Sequence, residues 1–309
     1  MQEQSSSTGT WQSLSSQAAG AVEKASRAIV AVHGRRRIPA SGVHWRRDLI
    51  VTANHALERD DEINVTLPGG RASTAKLAGR DSTTDIALLK INGIDLPTAE
   101  IGETSVLKPG HFILAAACTA EGSPRAAMAL VSVTGPAWRT WRGGALDQTL
   151  RLDRNLHPNF SGGPAIDDQG RVLGINTSAL SRFAAVVIPA STVHRVAAEL
   201  ETKGRIGHGY LGIGMAPVIL PAAVRESLKL SGDAGIMVMA VEPGSPAAQA
   251  RVMLGDIFVA FDAKPLLSLR DLQTYLGPEH IGKPLKASII RGGKMMEASI
   301  TVGEKPAVN

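Results

Sequence analysis

Between about residue 29 and residue 190 the chain is a succession of short apolar runs, each closed by a turn: DLIVTANHA, EINVTLPGG, STAKLAGRD, DIALLKI, HFILAAA, ALVSVTG, RVLGINT and AAVVIP. No other feature constrains the fold as much. In EINVTL the residues Ile63, Val65 and Leu67 alternate before Pro68-Gly69-Gly70 turns the chain, which is the period-two signature of a strand. Many short strands separated by Gly, Pro and Asp turns predict an all-β barrel or sandwich. The body closes on a predicted helix with Ser191 as N-cap. Val193, Val196, Ala197 and Leu200 share one face of it, and Gly204 stops it.

A length of 309 residues suits two domains. Residues 1–17, rich in Ser and Gln, read as a flexible tail in which Trp11 is the one candidate to dock. Ala18 to Ala28 reads as helix. The polar, Gly-rich KGRIGHG marks the boundary between a domain over residues 18–203 and another over 204–305. The second carries GYLGI, GIMVMAV, PGSPAAQA, DIFVAF, SLRDLQTYL and LKASIIRGG, the pattern of a small mixed α/β module.

Composition excludes several function classes. The 33 Lys and Arg exceed the 28 Asp and Glu by five, and the stretch from Gly34 to Arg47 (GRRRIPASGVHWRR) holds five Arg and no acid. The basic balance is therefore local, and no nucleic-acid partner is expected. Cys118 is the only cysteine, so neither an intramolecular disulfide nor a CxxC site can form; its apolar context suits a small core residue. No apolar run reaches the ~18 residues of a membrane span. The N-terminal MQEQSSSTGTWQSLSSQ lacks a basic start and an apolar core, so no signal peptide is read and the cytoplasm is the expected compartment. There is no P-loop, GxGxxG turn, HExxH or EF-hand loop, and His33, His44, His111, His157, His194, His208 and His280 are scattered. No cofactor or metal is predicted.

Three stretches carry chemistry: VTANHAL around His55, DSTTDIALLKI around Asp85, and NFSGGPAID around Ser161. Nucleophilic acyl transfer needs a hydroxyl, an imidazole to take its proton and a carboxylate to fix the imidazole's tautomer. Taken singly, a His is usually a surface or core residue, an Asp before a strand a turn residue, and a Ser-Gly-Gly a loop. Together, in the order His, Asp, Ser on a β-rich body, they match the trypsin-like arrangement rather than the subtilisin or α/β-hydrolase orders.

These segments resemble the HtrA (Deg) family of PDZ-containing trypsin-like serine proteases over roughly residues 20–303. Thr52-Ala53-Asn54-His55-Ala56 is similar to the family's TNNHV, Thr84-Asp85-Ile86-Ala87-Leu88-Leu89-Lys90-Ile91 to its TDLAVLKI, and His157-Pro158-Asn159-Phe160-Ser161-Gly162-Gly163-Pro164 to its NPGNSGGP. The resemblance implies a mainly β fold, a trypsin-like double β-barrel followed by a C-terminal α/β PDZ domain. It also implies Ser161 as nucleophile, His55 as general base then acid, and Asp85 as the orienting carboxylate. The backbone N–H groups of Asn159, Phe160 and Ser161 would form the oxyanion hole. Asn159 stands where the family has Gly, and Asn tolerates φ > 0 best among side chains. Phe160 replaces a family Asn, and Ala117-Cys118-Thr119 stands where members usually carry Gly-Asn-Pro. Tyr210-Leu211-Gly212-Ile213 resembles the PDZ loop that accepts a peptide C-terminal carboxylate, with Leu269 and Leu272 facing that groove. Trp138 and Trp141 lie in a loop between strands, either as a contact patch or as a lid over the barrel.

The implied function is ATP-independent endoproteolysis of unfolded or damaged polypeptides, with peptide C-termini bound at the PDZ domain. The implied assembly is a homotrimer with the Trp11 segment at its contacts, and the short connection from Ala31 to Ser41 suits a plain trimer rather than a cage. Family members mostly work in the bacterial envelope. Asn159 and Phe160 motivate an alternative, a PDZ-bearing binding or chaperone-like protein with little catalysis.

Overall fold

The computed structural model describes residues 4–58 and 62–304. The first three residues of the expected tail and residue 305, the expected end of the second domain, lie outside the described residues. The chain divides into two compact units, Met1–Ile206 and Gly207–Asn309.

The first unit opens with α1 (Gln4–Ser26). Six strands then close a barrel: β1 (Ile29–Val32), β2 (Ala40–Arg46), β3 (Leu49–Ala53), β4 (Glu62–Thr66), β5 (Ala72–Asp81) and β6 (Ile86–Lys90), in the spatial order β1-β2-β3-β6-β5-β4. A second barrel is built from β7 (Phe112–Cys118) and β8 (Pro124–Gly135), then, beyond the hairpin β9 (Trp138–Arg139) and β10 (Ala145–Leu146), from β11 (Thr149–Leu152), β12 (Pro164–Ile166), β13 (Val172–Thr177) and β14 (Val186–Pro189). Closure leaves neither sheet an open edge. The predicted alternation holds in β4, where Ile63 and Val65 are buried and Glu62 and Asn64 exposed.

Each barrel has its own apolar filling, and a third cluster lies between them. It joins Val43, Val51 and Leu88 of the first barrel to Ala116, Ile166 and Ile175 of the second. Helix α2 (Ala190–Lys203) covers this seam with Val193, Val196, Ala197 and Leu200, each buried large side chain contributing about 1.5–3 kcal/mol. The expected N-cap Ser191 lies inside α2 instead, and Pro189 takes the cap position, since a proline's fixed φ and missing N–H suit a helix start. Gly204 ends the helix in the left-handed conformation, at φ 70°.

The Ser- and Gln-rich stretch expected to be a flexible tail is instead helical from Gln4, continuous with the segment expected to be helix. Its anchor lies at its far end: Ala21 and Ala25 are buried in the inter-barrel cluster, and Lys24 pairs with Glu100 at 2.7 Å. The Gln17 amide donates to Asp168 at 2.8 Å. Once those turns are fixed, each further residue adds a backbone bond without a new nucleation cost. Trp11 does not dock on the described residues; it is 69% exposed.

The second unit holds β15 (Gly209–Tyr210), β16 (Ile213–Ile219), α3 (Ala222–Leu228), β17 (Ala234–Val241), α4 (Pro246–Gln249), β18 (Ile257–Phe261), β19 (Lys264–Pro265), α5 (Leu269–Gln273), β20 (Pro284–Arg291), β21 (Lys294–Thr301) and β22 (Gly303–Glu304). Strands β16, β17, β18, β20 and β21 form one antiparallel path, and the core gathers Ile236, Val238, Phe258, Phe261, Leu285 and Ile300.

Asp256, buried just before β18, braces this unit. Its carboxylate accepts the Met253 N–H at 2.8 Å and both Nε and Nη2 of Arg291, at the end of β20, at 2.7 Å. Burial alone would raise the Asp256 pKa, but the Arg291 guanidinium and the Met253 amide outweigh it and hold the carboxyl below its usual range. A depressed carboxylate pKa stabilises the fold above the unfolded value of about 3.9 and loses that contribution as pH falls through the folded value. Asp256→Asn should therefore lower the stability of this unit by about 2 kcal/mol at neutral pH and remove part of its acid sensitivity below about pH 4. Hydrogen exchange of β18 and β20 against pH checks both outcomes.

Candidate active site

The first barrel supplies an imidazole and a carboxylate. Strand β3 ends at Ala53, and a single 3-10 turn, Asn54–Ala56, raises His55 from the barrel rim. The turn that delivers Asp85 is gathered by buried Asp81. One of its oxygens accepts the Thr83 N–H and hydroxyl at 2.9 and 2.7 Å, the other the Thr84 N–H and hydroxyl at 3.3 and 2.6 Å. Asp85 itself is wholly buried and left-handed, at φ 63°, a conformation that costs a non-glycine residue about 1–2 kcal/mol. It persists because the Asp85 carbonyl accepts the Asn54 N–H at 3.0 Å and Oδ1 accepts the His55 N–H at 2.8 Å.

His55 Nδ1 lies 2.8 Å from Asp85 Oδ2. A carboxylate oxygen here can only accept, so the proton is on Nδ1 and Nε2 is left as a base. The second barrel closes the arrangement from β13: Thr177 Oγ1 donates to the same Asp85 oxygen at 2.5 Å. The next residue, Ser178, places its hydroxyl 3.5 Å from His55 Nε2 and 3.4 Å from Ser161 Oγ. The structure thus brings His55, Asp85 and Ser161 together, with Ser178 bridging the hydroxyl and the imidazole.

Ser161 follows the 3-10 turn Pro158–Phe160. Gly162 comes next at φ +82°, and a Cβ there would lie 2.2 Å from the Ser41 carbonyl and 2.4 Å from Thr52 Oγ1. Only glycine fits between the Ser161 turn and the first barrel. Ser41 completes the join: its N–H donates to the Ser161 carbonyl at 3.0 Å and its hydroxyl to the Asn159 carbonyl at 2.9 Å.

The three N–H groups expected to form an oxyanion hole point elsewhere. Phe160 N–H donates to the His157 carbonyl at 2.9 Å and Ser161 N–H to the Pro158 carbonyl at 3.1 Å, the i to i−3 pattern that defines the 3-10 turn. Asn159 N–H donates to the His157 side chain at Nδ1, 3.2 Å away. Asn159 is not at positive φ, contrary to the sequence expectation. Its side chain is chosen by its bonds instead: Nδ2 donates to the Pro39 and Cys118 carbonyls at 3.1 and 3.0 Å. Phe160 is buried against Ala115 and Ala117 rather than crowding the cleft. Cys118 is a buried core thiol, its pKa pushed up to about 11 chiefly by burial, which suppresses nucleophilic chemistry.

The hairpin carrying Trp138 and Trp141 docks on the Asp85 turn, where Thr140 Oγ1 donates to the Thr83 carbonyl at 2.7 Å. Trp138 is half-buried, and Trp141 is exposed with Arg142 over its ring at 4.5 Å. Among the described residues no three His, Cys, Asp or Glu side chains converge as metal ligands would.

In the second unit, Tyr210-Leu211-Gly212-Ile213 links β15 to β16, with Gly212 at φ +74° and Leu211 buried. Tyr210 donates its hydroxyl to the Glu242 carboxylate, which raises the phenol's pKa. Leu269 and Leu272 were expected to share a groove. Leu272 is buried in the core, whereas Leu269 stays 39% exposed. The helix is only five residues long, and Leu272 is drawn into the apolar filling.

Sequence reasoning missed Asp81, Thr177 and Ser178. The Asp-x-Thr-Thr spacing was a readable signal for Asp81, since Asp side chains close such turns on their own backbone. Thr177 and Ser178 carried none, because Asp85 lies 92 residues from the first and His55 123 residues from the second.

Residues 40–175 match the trypsin-like peptidase domain family and residues 209–302 the PDZ domain family. The chain is 32% identical over 262 residues to a probable periplasmic serine endoprotease, DegP-like, from Pseudomonas savastanoi pv. phaseolicola, covering 83% of this chain and 54% of the relative. It is also 32% identical over 270 residues to the putative serine protease HhoB of Synechocystis, covering 83% of this chain and 64% of the relative. The chain thus spans between about half and two thirds of these relatives' lengths. Among solved structures, the HtrA-type protease AlgW with tripeptide superposes with a TM-score of 0.71 at 26% identity, over 94% of this chain and 98% of that one.

Thr177→Val keeps the shape of the side chain and deletes its donor to the buried Asp85 carboxylate. Ser161 should then react about tenfold more slowly with a fluorophosphonate. Labelling rates of the two proteins, at matched melting temperature, check it.

Proposed function

The chain belongs to the HtrA (Deg) family of PDZ-containing trypsin-like serine proteases, and from that membership we propose that it is an ATP-independent serine endopeptidase acting on unfolded or damaged polypeptides. The observation that carries the reading is the His55–Asp85 pair with its base nitrogen 3.5 Å from the Ser178 hydroxyl, which in turn lies 3.4 Å from Ser161 Oγ. Ser161 attacks the scissile carbonyl, and His55 takes the Ser161 proton at Nε2 and returns it to the leaving amine. Asp85, held by Thr177, stabilises the imidazolium in between. The PDZ domain binds polypeptide C-termini along Tyr210-Leu211-Gly212-Ile213 and Leu269.

The Pseudomonas relative is named periplasmic, and that compartment has more support than the cytoplasm expected from the N-terminal sequence. No helix among the described residues is long and apolar enough to cross a membrane. Assembly as a homotrimer through α1 is consistent with exposed Trp11 and Leu14 on that helix.

One observation favours the second reading, a peptide-binding or chaperone-like module with little catalysis. All three N–H groups that would hold an oxyanion are engaged within the Ser161 turn or by His157. Losing even one such donor costs a serine protease about 10²- to 10³-fold. We read the arrangement as a resting form of the enzyme, since one peptide rotation would free the Asn159 N–H.

Wild type should degrade casein, and Ser161→Ala should not. Equal, negligible turnover in both, with and without C-terminal peptides, would leave the binding module as the function.

A further inference from the structure

Beside the triad, one residue past Ser178, the loop joining β13 to β14 and the β9–β10 hairpin border a depression of about 470 Å³. Trp141, Arg151 and residues 179–183 line it. Both of its walls are tied to the catalytic groups. The loop starts from Thr177, whose Oγ1 accepts the Ala179 N–H at 3.0 Å while donating to Asp85. The hairpin is fixed to the Asp85 turn through Thr140 and, at 3.3 Å, through Arg142 Nη1 on the Ser82 carbonyl. Ser178 Oγ lies 3.4 Å from Ser161 Oγ, so a polypeptide cleaved at Ser161 passes this depression within a few residues of the scissile bond.

The chain itself covers neither the charge nor the apolar surface of this depression. Arg151 stands on the outward face of β11, between buried Leu150 and Leu152. Arg182 is exposed on the loop, which Leu180 anchors in the inter-barrel cluster. The Ser181 hydroxyl closes that loop by accepting the Phe183 and Ala184 N–H groups at 3.3 and 3.4 Å. No acid lines the depression, and the acids of the flanking segment are taken. Asp147 pairs with Arg195 at 3.0 Å and Asp153 with Arg154 at 3.3 Å. Among the described residues, Arg142, Arg151 and Arg182 pair with no carboxylate. Trp141 and Phe183 are 64% and 90% exposed, and large apolar surface gathered beside charge marks a place of contact. Rings beside a guanidinium exclude water from a carboxylate that enters, which strengthens the charge-assisted bond.

Resting on the serine-protease reading above, we propose that this depression is a substrate subsite for an acidic side chain, with Arg151 and Arg182 as its specificity-determining cations and Trp141 and Phe183 as its apolar walls. The occupant is the carboxylate of a Glu or Asp in the cleaved polypeptide, close to the scissile bond. Charge decides against other side chains: a Lys or Arg meets two uncompensated cations, and a neutral group leaves them unanswered. The planar fork of an arginine receives a carboxylate through two parallel bonds. The substrates of this chain are then acidic stretches of unfolded polypeptide rather than unfolded polypeptide at large.

The test uses the full chain, with and without a C-terminal peptide. Cleavage sites in a proteome-derived peptide library should be enriched in Glu and Asp at one position within about four residues of the scissile bond. Fluorogenic peptides built on a mapped site, with Glu, Gln or Lys at that position, then measure the preference. Wild type should favour Glu over Gln about tenfold in kcat/KM, the scale of one charge-assisted hydrogen bond. Salt at about 0.5 M should shrink that ratio. Arg151→Gln and Arg182→Gln should each lower it a few-fold. Arg182→Glu should turn the preference toward Lys, a readout that a merely structural role would not move. Arg182 lies on an exposed loop, so its variants report even where the Arg151 variant folds poorly. Cleavage without acidic enrichment, or a Glu preference unaltered in both Arg182 variants, overturns the subsite and leaves the protease reading standing. Hydrolysis of no library peptide by wild type overturns both.

Discussion

The buried Asp85 carboxylate is the interaction on which the first unit depends. It receives the His55 N–H, the His55 ring N–H and the Thr177 hydroxyl. The first two come from the turn after β3, the third from β13 of the other barrel. Two independently closed barrels, each with its own apolar filling, also meet across an apolar seam, which is non-directional. The carboxylate converts that contact into a fixed register, because a buried charge tolerates no missing donor. Ser41 does the same from the other side, taking up backbone groups of Asn159, Ser161 and Cys118 through its N–H and hydroxyl. The cleft is accurate because polar bonds cross the seam at both of its edges.

That rigidity is uneven. The half of the site that moves protons is assembled: the imidazole tautomer is set, its carboxylate is satisfied, and a hydroxyl stands at Nε2. The half that would stabilise negative charge is folded away into a 3-10 turn. The difference has a topological cause. His55 and Asp85 leave adjacent strands β3 and β6, paired over five residues, whereas the Asn159 turn hangs between Leu152, the end of β11, and Pro164, the start of β12. A connection of that length has few ladder bonds to oppose a change of one peptide, so its state is decided by side chains that reach it from elsewhere.

This also explains what could be read from the sequence. His55, Asp85 and Ser161 were legible through three short motifs in a fixed order that resemble the family's, since each taken singly reads as an ordinary turn or loop residue. Barrel strands such as β4 and the apolar face of α2 were legible through periodicity. Asn159 was misread because its environment is made by residues far away. A sequence suggests backbone freedom for an Asn in a glycine's place, while the structure uses its amide to satisfy the Pro39 and Cys118 carbonyls. Leu272 was misread for a related reason, since a five-residue helix has too few turns for its spacing to say which Leu the core will take. The N-terminal helix was misread because its composition is polar, and its stability comes from Ala21 and Ala25 at the opposite end.

The arginine cluster shows how composition and geometry divide the same fact. The five arginines between Gly34 and Arg47 account for the whole positive balance of the chain, and by charge alone they describe a solvated basic patch. In the structure they separate. Arg46 reaches Glu201 at 3.3 Å and Arg47 lies 3.8 Å from Asp48, ordinary surface pairs that contribute little. Arg36 and Arg37 stay in solvent. Arg35, partly removed from water, spends hydrogen bonds on two backbone carbonyls, and among the described residues it pairs with no carboxylate. A cation held that way gains nothing from charge pairing that a surface neighbour would not give. What it secures is a polar contact between the loop joining β1 to β2 and the turn that precedes Ser161.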